Sequence, residues 1–305
     1  MKNFKLILGL LVVCTVVFSS CKEEKLGDSI FDTTPPVRNK FDQWLYDSIT
    51  IPYNIQVFYK YEDIEASNQY NLIPADLGNS KKLIQIVKHT WYEAYDEIVG
   101  KDFLRAYVPR ILQFIGSAAW NDDTNSYVAG TAEGGMKVTL YVVNWLQTTP
   151  AFLKDNYLHT MHHEFGHILN QKIAYDPAFK LISKADYIGG DWIYWNQQQS
   201  LAKGFITPYS MDKDGEDFVE LYSTYINCTA AEWANLMQLA ARTNVLYPDQ
   251  VTRSNGQGRI KIEQKLTILR DYFQTRWNIN LDQMREILNR RTNDVQTMSF
   301  NEFLD

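Results

Sequence analysis

Cysteine is scarce in this chain, with three in 305 residues. Two of them, Cys14 and Cys21, lie at the extreme N-terminus. If Cys14 leaves with a leader and Cys21 carries lipid, Cys228 is left without an intrachain disulfide partner, and stability must come from a packed core. Basic charge is in deficit too: 30 Lys and Arg stand against 36 Asp and Glu, a net charge of -6. That balance excludes the basic footprint of a nucleic-acid binder. After residue 20 there is no second lipophilic span and no internal repeat. Histidine is also rare, yet four of the five fall within nine positions, in the stretch YLHTMHHEFGHILNQ. The remainder is ordinary globular composition, 45% hydrophobic and 14% aromatic, enough to bury a sizeable core.

Residues 1–20 read as an export signal. Lys2 and Lys5 precede LILGLLVVCTVVF, an apolar stretch short for a bilayer span, and Ser19-Ser20-Cys21 follows. Small residues before the cysteine and KEEK after it resemble the lipobox of a bacterial lipoprotein, in which Cys21 becomes the lipidated first residue. The mature chain then carries 28 basic against 36 acidic side chains, a net of -8. KEEK after the lipidated cysteine hints at outward display at the cell surface. Residues 21–40 are polar, contain Pro35-Pro36 and show no apolar period, so they read as a tether. The fold is expected to begin near Phe41 and to continue to residue 305 as one domain.

Within it, FDQWLYDSI reads as a short helix and NIQVFYKYED as a strand. Leu83, Ile86, Val87, Trp91, Ala94, Tyr95 and Ile98 recur at spacings of three and four before Gly100, which predicts an amphipathic helix. RILQFIGSAAW and MKVTLYVVNW are strand candidates separated by the polar stretch NDDTNSYVAGTAEGG. Thr149-Pro150 offers a cap and a first turn for the histidine helix. Residues 174–215 form a long connection rich in Tyr, Trp, Gly and Gln. Past Asp214 the pattern is helical: GEDFVELYSTYI, AAEWANLMQLAAR, IKIEQKLTILRDYFQTRW and LDQMREILNRR. The expected fold class is α+β, with a small mostly antiparallel sheet packed on the histidine helix and a helical C-terminal half.

On a helix, residues four apart lie on one face with Cβ atoms about 5–6 Å apart, so His159, His163 and His167 form a row. His163 and His167 also enclose Glu164 in HEFGH, the spacing at which a carboxylate can act on a metal-bound water. The pair His159/His163 would place Thr160 there instead. His159 and His162 are therefore assigned to support or packing, and Gly166 is expected to leave the backbone bare beside the metal. A catalytic zinc wants three protein ligands and one open position. DGEDFVELY supplies the third: Glu216 as ligand, with Glu220 one turn on to hydrogen-bond the far nitrogen of a ligand histidine. Asp217, rotated only about 100° from Glu216, is the rival ligand.

HEFGH followed by a glutamate on a later helix resembles the gluzincin metallopeptidases, and EDFVELY is similar to their glutamate helix. The lipobox, PYNIQVFY, HEFGH, GFITPYSMDKDGEDFVE and the helical C-terminus more closely resemble bacterial zinc-binding metallopeptidase lipoproteins associated with outer-membrane substrate import. The resemblance implies a zincin-like fold and a Zn2+-dependent hydrolase tethered beside nutrient-import machinery. The 48 residues between His167 and Glu216 depart from better-known gluzincins, so the shape of the cleft does not carry over.

The expected chemistry is peptide hydrolysis, Glu164 acting as base to a zinc-activated water and Tyr209, in the TPYS turn, as a candidate oxyanion donor. MKVTLYVVNW could pair with an extended peptide if it forms a sheet edge. Two other readings stand beside this one: a zinc hydrolase of a glycan-linked or other amide, and a binding lipoprotein of an import complex without proteolytic activity. The aromatic stretch DYIGGDWIYWNQQQ bears on the glycan reading, which loses its motive if both tryptophans are buried.

Overall fold

The computed structural model describes residues 37–62, 66–67, 69–121, 126–128, 130–133, 136–242 and 256–301. The expected signal peptide, Cys21 and nearly all of the expected tether lie outside the described residues. From Asn39 onward the chain clusters as one unit.

Asn39 caps the first helix, α1 (Lys40–Leu45), accepting from the Asp42 amide at 2.7 Å. The chain runs through a π turn (Tyr46–Thr50) and a last helical turn to Asn54, whose left-handed φ of 58° releases it into strand β1 (Gln56–Phe58). Asp76 caps α2 (Leu77–Val87), which continues through a π turn (Lys88–Tyr92) into α3 (Glu93–Val99). Gly100, at φ 87°, ends it where the sequence placed a stop and opens α4 (Lys101–Tyr107). Then come β2 (Ile111–Phe114), β3 (Ala119–Asn121), β4 (Ser126–Val128), β5 (Gly130–Glu133) and β6 (Lys137–Leu140).

The principal sheet has the order β1-β2-β6-β5. β1, β2 and β6 are parallel, with Val57 opposite Leu112 and Leu112 opposite Val138, and only β5 runs antiparallel, to β6. The expected mostly antiparallel sheet is therefore corrected to a mostly parallel one. The reason lies in the connections. β1 reaches β2 through α2–α4, a helical crossover of the kind parallel strands require. The polar stretch between the two strand candidates itself contains β4 and β5, and the extra reversals bring β6 back parallel to β2. All four residues of β6 are buried, the mark of an interior strand. The outermost strand on that side is β5, so MKVTLYVVNW is not the free edge.

Thr149 accepts from the Phe152 amide and Pro150 opens α5 (Pro150–Leu153); a π turn (Lys154–Leu158) then feeds α6 (His159–Lys172). The long connection is built of short pieces: α7 (Ala178–Leu181), a 3-10 segment (Gly189–Tyr194), α8 (Gln197–Lys203) and a 3-10 turn (Tyr209–Met211). The helical half follows as α9 (Asp214–Asn227), α10 (Ala230–Arg242), α11 (Gln257–Trp277) and α12 (Leu281–Asp294).

One core joins both halves: Trp91, Tyr95, Phe114 and Phe165 are buried in it together with Phe218, Tyr222, Phe273 and Leu288. Helix α6 lies between the sheet and α9, packed against β5 and most extensively against α9. Gly166 sets the spacing of the two helices. A Cβ there would meet Val219 and Tyr222 at 3.0 Å, so this glycine serves helix contact rather than lying bare beside a metal. Among the described residues no helix is long and apolar enough to cross a membrane.

Candidate metal centre

α6 and α9 run antiparallel, and each presents a polar row to the other across their apolar contact. His167 faces Glu216, His163 faces Glu216 and Glu220, and His159 faces Glu220 and Ser223. His163 Nε2 and His167 Nε2 each lie 3.1 Å from Glu216 Oε2. The two imidazoles are nearly perpendicular, their centroids 4.9 Å apart. One donor atom from each of the three residues falls within 4.8 Å of the others, close enough to surround one ion.

The next turn holds this arrangement. His163 Nδ1 lies 2.7 Å from Glu220 Oε1, and His159 Nε2 lies 2.9 Å from the same oxygen. Thr207 Oγ1 donates to Glu220 Oε2 at 2.7 Å, so both carboxylate oxygens are occupied. Burial opposes a charged His163, yet its bonds to Glu216 and Glu220 raise its pKa to about 10. Burial likewise disfavours the charged carboxylates, but His163 and His167 hold Glu216 down, and His159 and His163 hold Glu220 well down. The pocket thus keeps positive charge between two carboxylates, the place a divalent cation suits. Two imidazole nitrogens and one carboxylate oxygen are a zinc donor set rather than the all-oxygen set of magnesium or calcium.

A second group of donors, His159, His163 and Glu220, is equally close. It shares His163 with the first, and both of its carboxylate oxygens already accept hydrogen bonds. The first group, whose Glu216 also meets the exposed Lys213 at 3.4 Å and the Tyr209 phenol, and which brackets Glu164 in sequence, is the better cation site.

Glu164, between the two histidines in sequence, is partly buried, and burial raises its carboxyl above the ordinary range against the lowering pull of His163 and His167. Tyr209 stacks on His163 with centroids 5.9 Å apart and planes 24° apart. Burial, then the charge of Glu216, push its phenol up. Trp192 packs edge-on against Tyr209 at 5.0 Å. Neither Trp192 nor Trp195 is fully buried, and Tyr194 between them is 79% exposed. The condition that would remove the glycan reading is therefore not met.

His162 points away from the row into the core. It is fully buried, lies 3.2 Å from the Tyr95 hydroxyl, and burial lowers its pKa to about 3, which keeps it neutral. Asp217, the rival ligand, requires a correction, and it supports no ligand histidine either. Its carboxylate turns to the other side of α9, where it pairs with Lys265 at 2.7 Å and accepts from the Tyr187 hydroxyl at 2.8 Å. The rotation of about 100° per residue that made it a rival is what carries it away from the histidines.

Thr207 and Lys265 were not singled out in the sequence, and Trp192 was singled out only for sugar stacking, not as a neighbour of Tyr209. Thr207 had a signal: Thr207-Pro208 repeats the Thr149-Pro150 pattern, and its hydroxyl does accept from the Ser210 amide at 3.2 Å. Lys265 carried none.

Glu220 touches a histidine rather than the centre itself, and Glu220→Gln is expected to weaken zinc binding about 10- to 100-fold. A competition titration against a chromophoric chelator reads this directly. Unchanged affinity would reduce Glu220 to a packing residue.

Residues 34–282 match the family described as "putative zinc-binding metallo-peptidase". The chain is also similar to a solved structure, the crystal structure of a "putative zinc-binding metallo-peptidase" from Bacteroides caccae. The two share 39% identity with a TM-score of 0.73, over 89% of this chain and 98% of that one. A search of curated proteins gives no match.

Proposed function

The chain belongs to the "putative zinc-binding metallo-peptidase" family, and from that premise we propose that it is a zinc-dependent peptidase whose ligands are His163, His167 and Glu216. The observation that carries this reading is the convergence of His163 Nε2 and His167 Nε2 on Glu216 Oε2, 3.1 Å from each, with Glu164 inside the same helical turn.

Zinc held by three such ligands leaves a position for water, lowers the pKa of that water to about 7 and polarises a carbonyl. The chain's own residues supply the rest. Glu164 accepts the proton of the attacking water and passes it to the leaving amine; its burial makes it a stronger base than an exposed glutamate. Glu220 holds the Nδ1 proton of His163, which fixes that ring's tautomer and leaves Nε2 as the ligand atom, and Thr207 holds Glu220 in turn. The Tyr209 phenol, kept protonated by burial and by Glu216, donates to the oxyanion. An extended peptide hydrogen-bonded to β5, the terminal strand of the sheet among the described residues, lies along α6, which favours peptide over other amides.

The signal peptide, the lipobox and the resemblance to import-associated lipoproteins support a site of action at the outer membrane. There the domain is held by lipid on Cys21, faces outward, and works beside a substrate-import complex.

A peptide-library digest tests the activity. Cleavage at defined bonds is expected, abolished by 1,10-phenanthroline and restored by about one equivalent of Zn2+. A zinc-loaded protein that cleaves no peptide would move the reading to a glycan-linked amide, for which the partly buried Trp192 beside Tyr209 and the exposed Tyr194 offer aromatic surface.

A further inference from the structure

The cleft between α6 and α9 continues past the proposed ligands. His159 stands one turn before His163, their ring centroids 6.2 Å apart, and beyond it opens a cavity of about 590 Å3. Its walls are the π turn before α6, the last turn of α9 and one face of α10. The lining is mostly apolar, with Leu236 and Leu239 on α10 and Cys228 at the end of α9; both leucines are only partly covered by the protein. Burial pushes the Cys228 thiol up to about 11, so it stays a neutral wall. Lys154 and Glu232 at the cavity pair with each other at 3.1 Å, and Asp155 adds one further carboxylate. A cation here is already neutralised and an anion is repelled.

We propose that this cavity receives an apolar side chain, of leucine to phenylalanine size, from the same peptide whose scissile bond lies at His163, His167 and Glu216. The inference rests on the peptidase reading and adds a substrate class to it. Three observations support that occupant over others. His159 lines the cavity and also meets Glu220, the carboxylate that holds His163, so cavity and centre are neighbours across one residue. His159 and His163 are one helical turn apart, ring centroids 6.2 Å from each other, so a chain that passes the centre reaches the cavity within a few residues of about 3.3 Å each. The apolar lining matches an apolar side chain, and Asp155, beyond the self-paired Lys154–Glu232 bridge, disfavours an anionic one. Discrimination of about 10- to 200-fold between a filled and an empty apolar pocket is the usual range.

The test uses Cys228 as a reporter. Full-length protein carrying Glu164→Gln, so that peptides persist, is alkylated with N-ethylmaleimide, and modification is mapped by mass spectrometry to the Cys228 peptide. Capped hexa-alanine is compared with six peptides carrying one phenylalanine at each position in turn. At least one phenylalanine peptide is expected to protect Cys228 at concentrations roughly 10-fold lower or better than hexa-alanine. Leu236→Glu is expected to erase that difference. So is Asn235→Trp, at an exposed position of the lining where the fold is not at risk. Equal protection by all peptides, or none, overturns the proposal, as does a preference that both variants leave intact. Protection by phenylalanine with no peptide hydrolysed by the wild type contradicts the peptidase reading instead. Hydrolysis without protection contradicts the cavity assignment alone.

Discussion

Asp217→Ala is expected to lower the melting temperature by roughly 6–15 °C while leaving the zinc content of the protein unchanged. Asp217 and Lys265 are each 1% exposed and 2.7 Å apart. Burial pushes the Asp217 carboxyl up and the Lys265 amine down, and each is the other's chief counterweight. The amine also donates to the Gly204 carbonyl at 2.8 Å and sits 4.0 Å from the centre of the Phe205 ring, so the pair ties α11 to the end of the long connection. Removing the carboxylate leaves a buried ammonium without its charge partner and the Tyr187 hydroxyl without its acceptor, a loss of about 3–5 kcal/mol. The double variant Asp217→Ala, Lys265→Met removes the stranded charge and is expected to recover most of that loss. Calorimetry of the three proteins decides it: a single-variant cost below about 1 kcal/mol would mean that water reaches the pair.

Glu164→Gln is expected to reduce kcat/KM on any cleaved peptide by about 100- to 10,000-fold while zinc remains bound. The substitution keeps the shape of the side chain and removes its capacity to take a proton. His163, His167 and Glu216 contact one another without Glu164, so the donor set survives the change. Paired kinetics and metal analysis separate the outcomes. Retained activity would remove Glu164 from the reaction, and loss of zinc together with activity would make it a structural member of the site.

Much of the centre was legible because it is local. HEFGH places two imidazoles and a carboxylate by helical periodicity alone, and the i, i+4 relation of Glu216 and Glu220 does the same for the facing row. The helices were legible for the same reason: apolar spacing of three and four recovers α2–α3, α6 and α9 to α12 within a few residues. The sheet was not, because strand direction is a property of the connections rather than of the strands. β2 and β6 read as neighbours, but whether they run parallel depends on two three- to four-residue strands in a polar stretch that carries no apolar alternation. Asp217 and Gly166 failed for a related reason. Their faces are set by what lies across from them, Lys265 on α11 and Val219 with Tyr222 on α9, and neither partner is near in sequence. Thr207 lay between these cases, since its capping role could be read from Thr-Pro but its bond to Glu220 depends on the fold.

The measurement that bears most directly on the centre is metal content by inductively coupled plasma mass spectrometry on wild type, Glu216→Ala and Asp217→Ala, purified without added chelator. The assignment of His163, His167 and Glu216 predicts about one zinc per chain in wild type and in Asp217→Ala, and little or none in Glu216→Ala. Zinc retained by Glu216→Ala, or absent from the wild type after reconstitution with Zn2+, would contradict it.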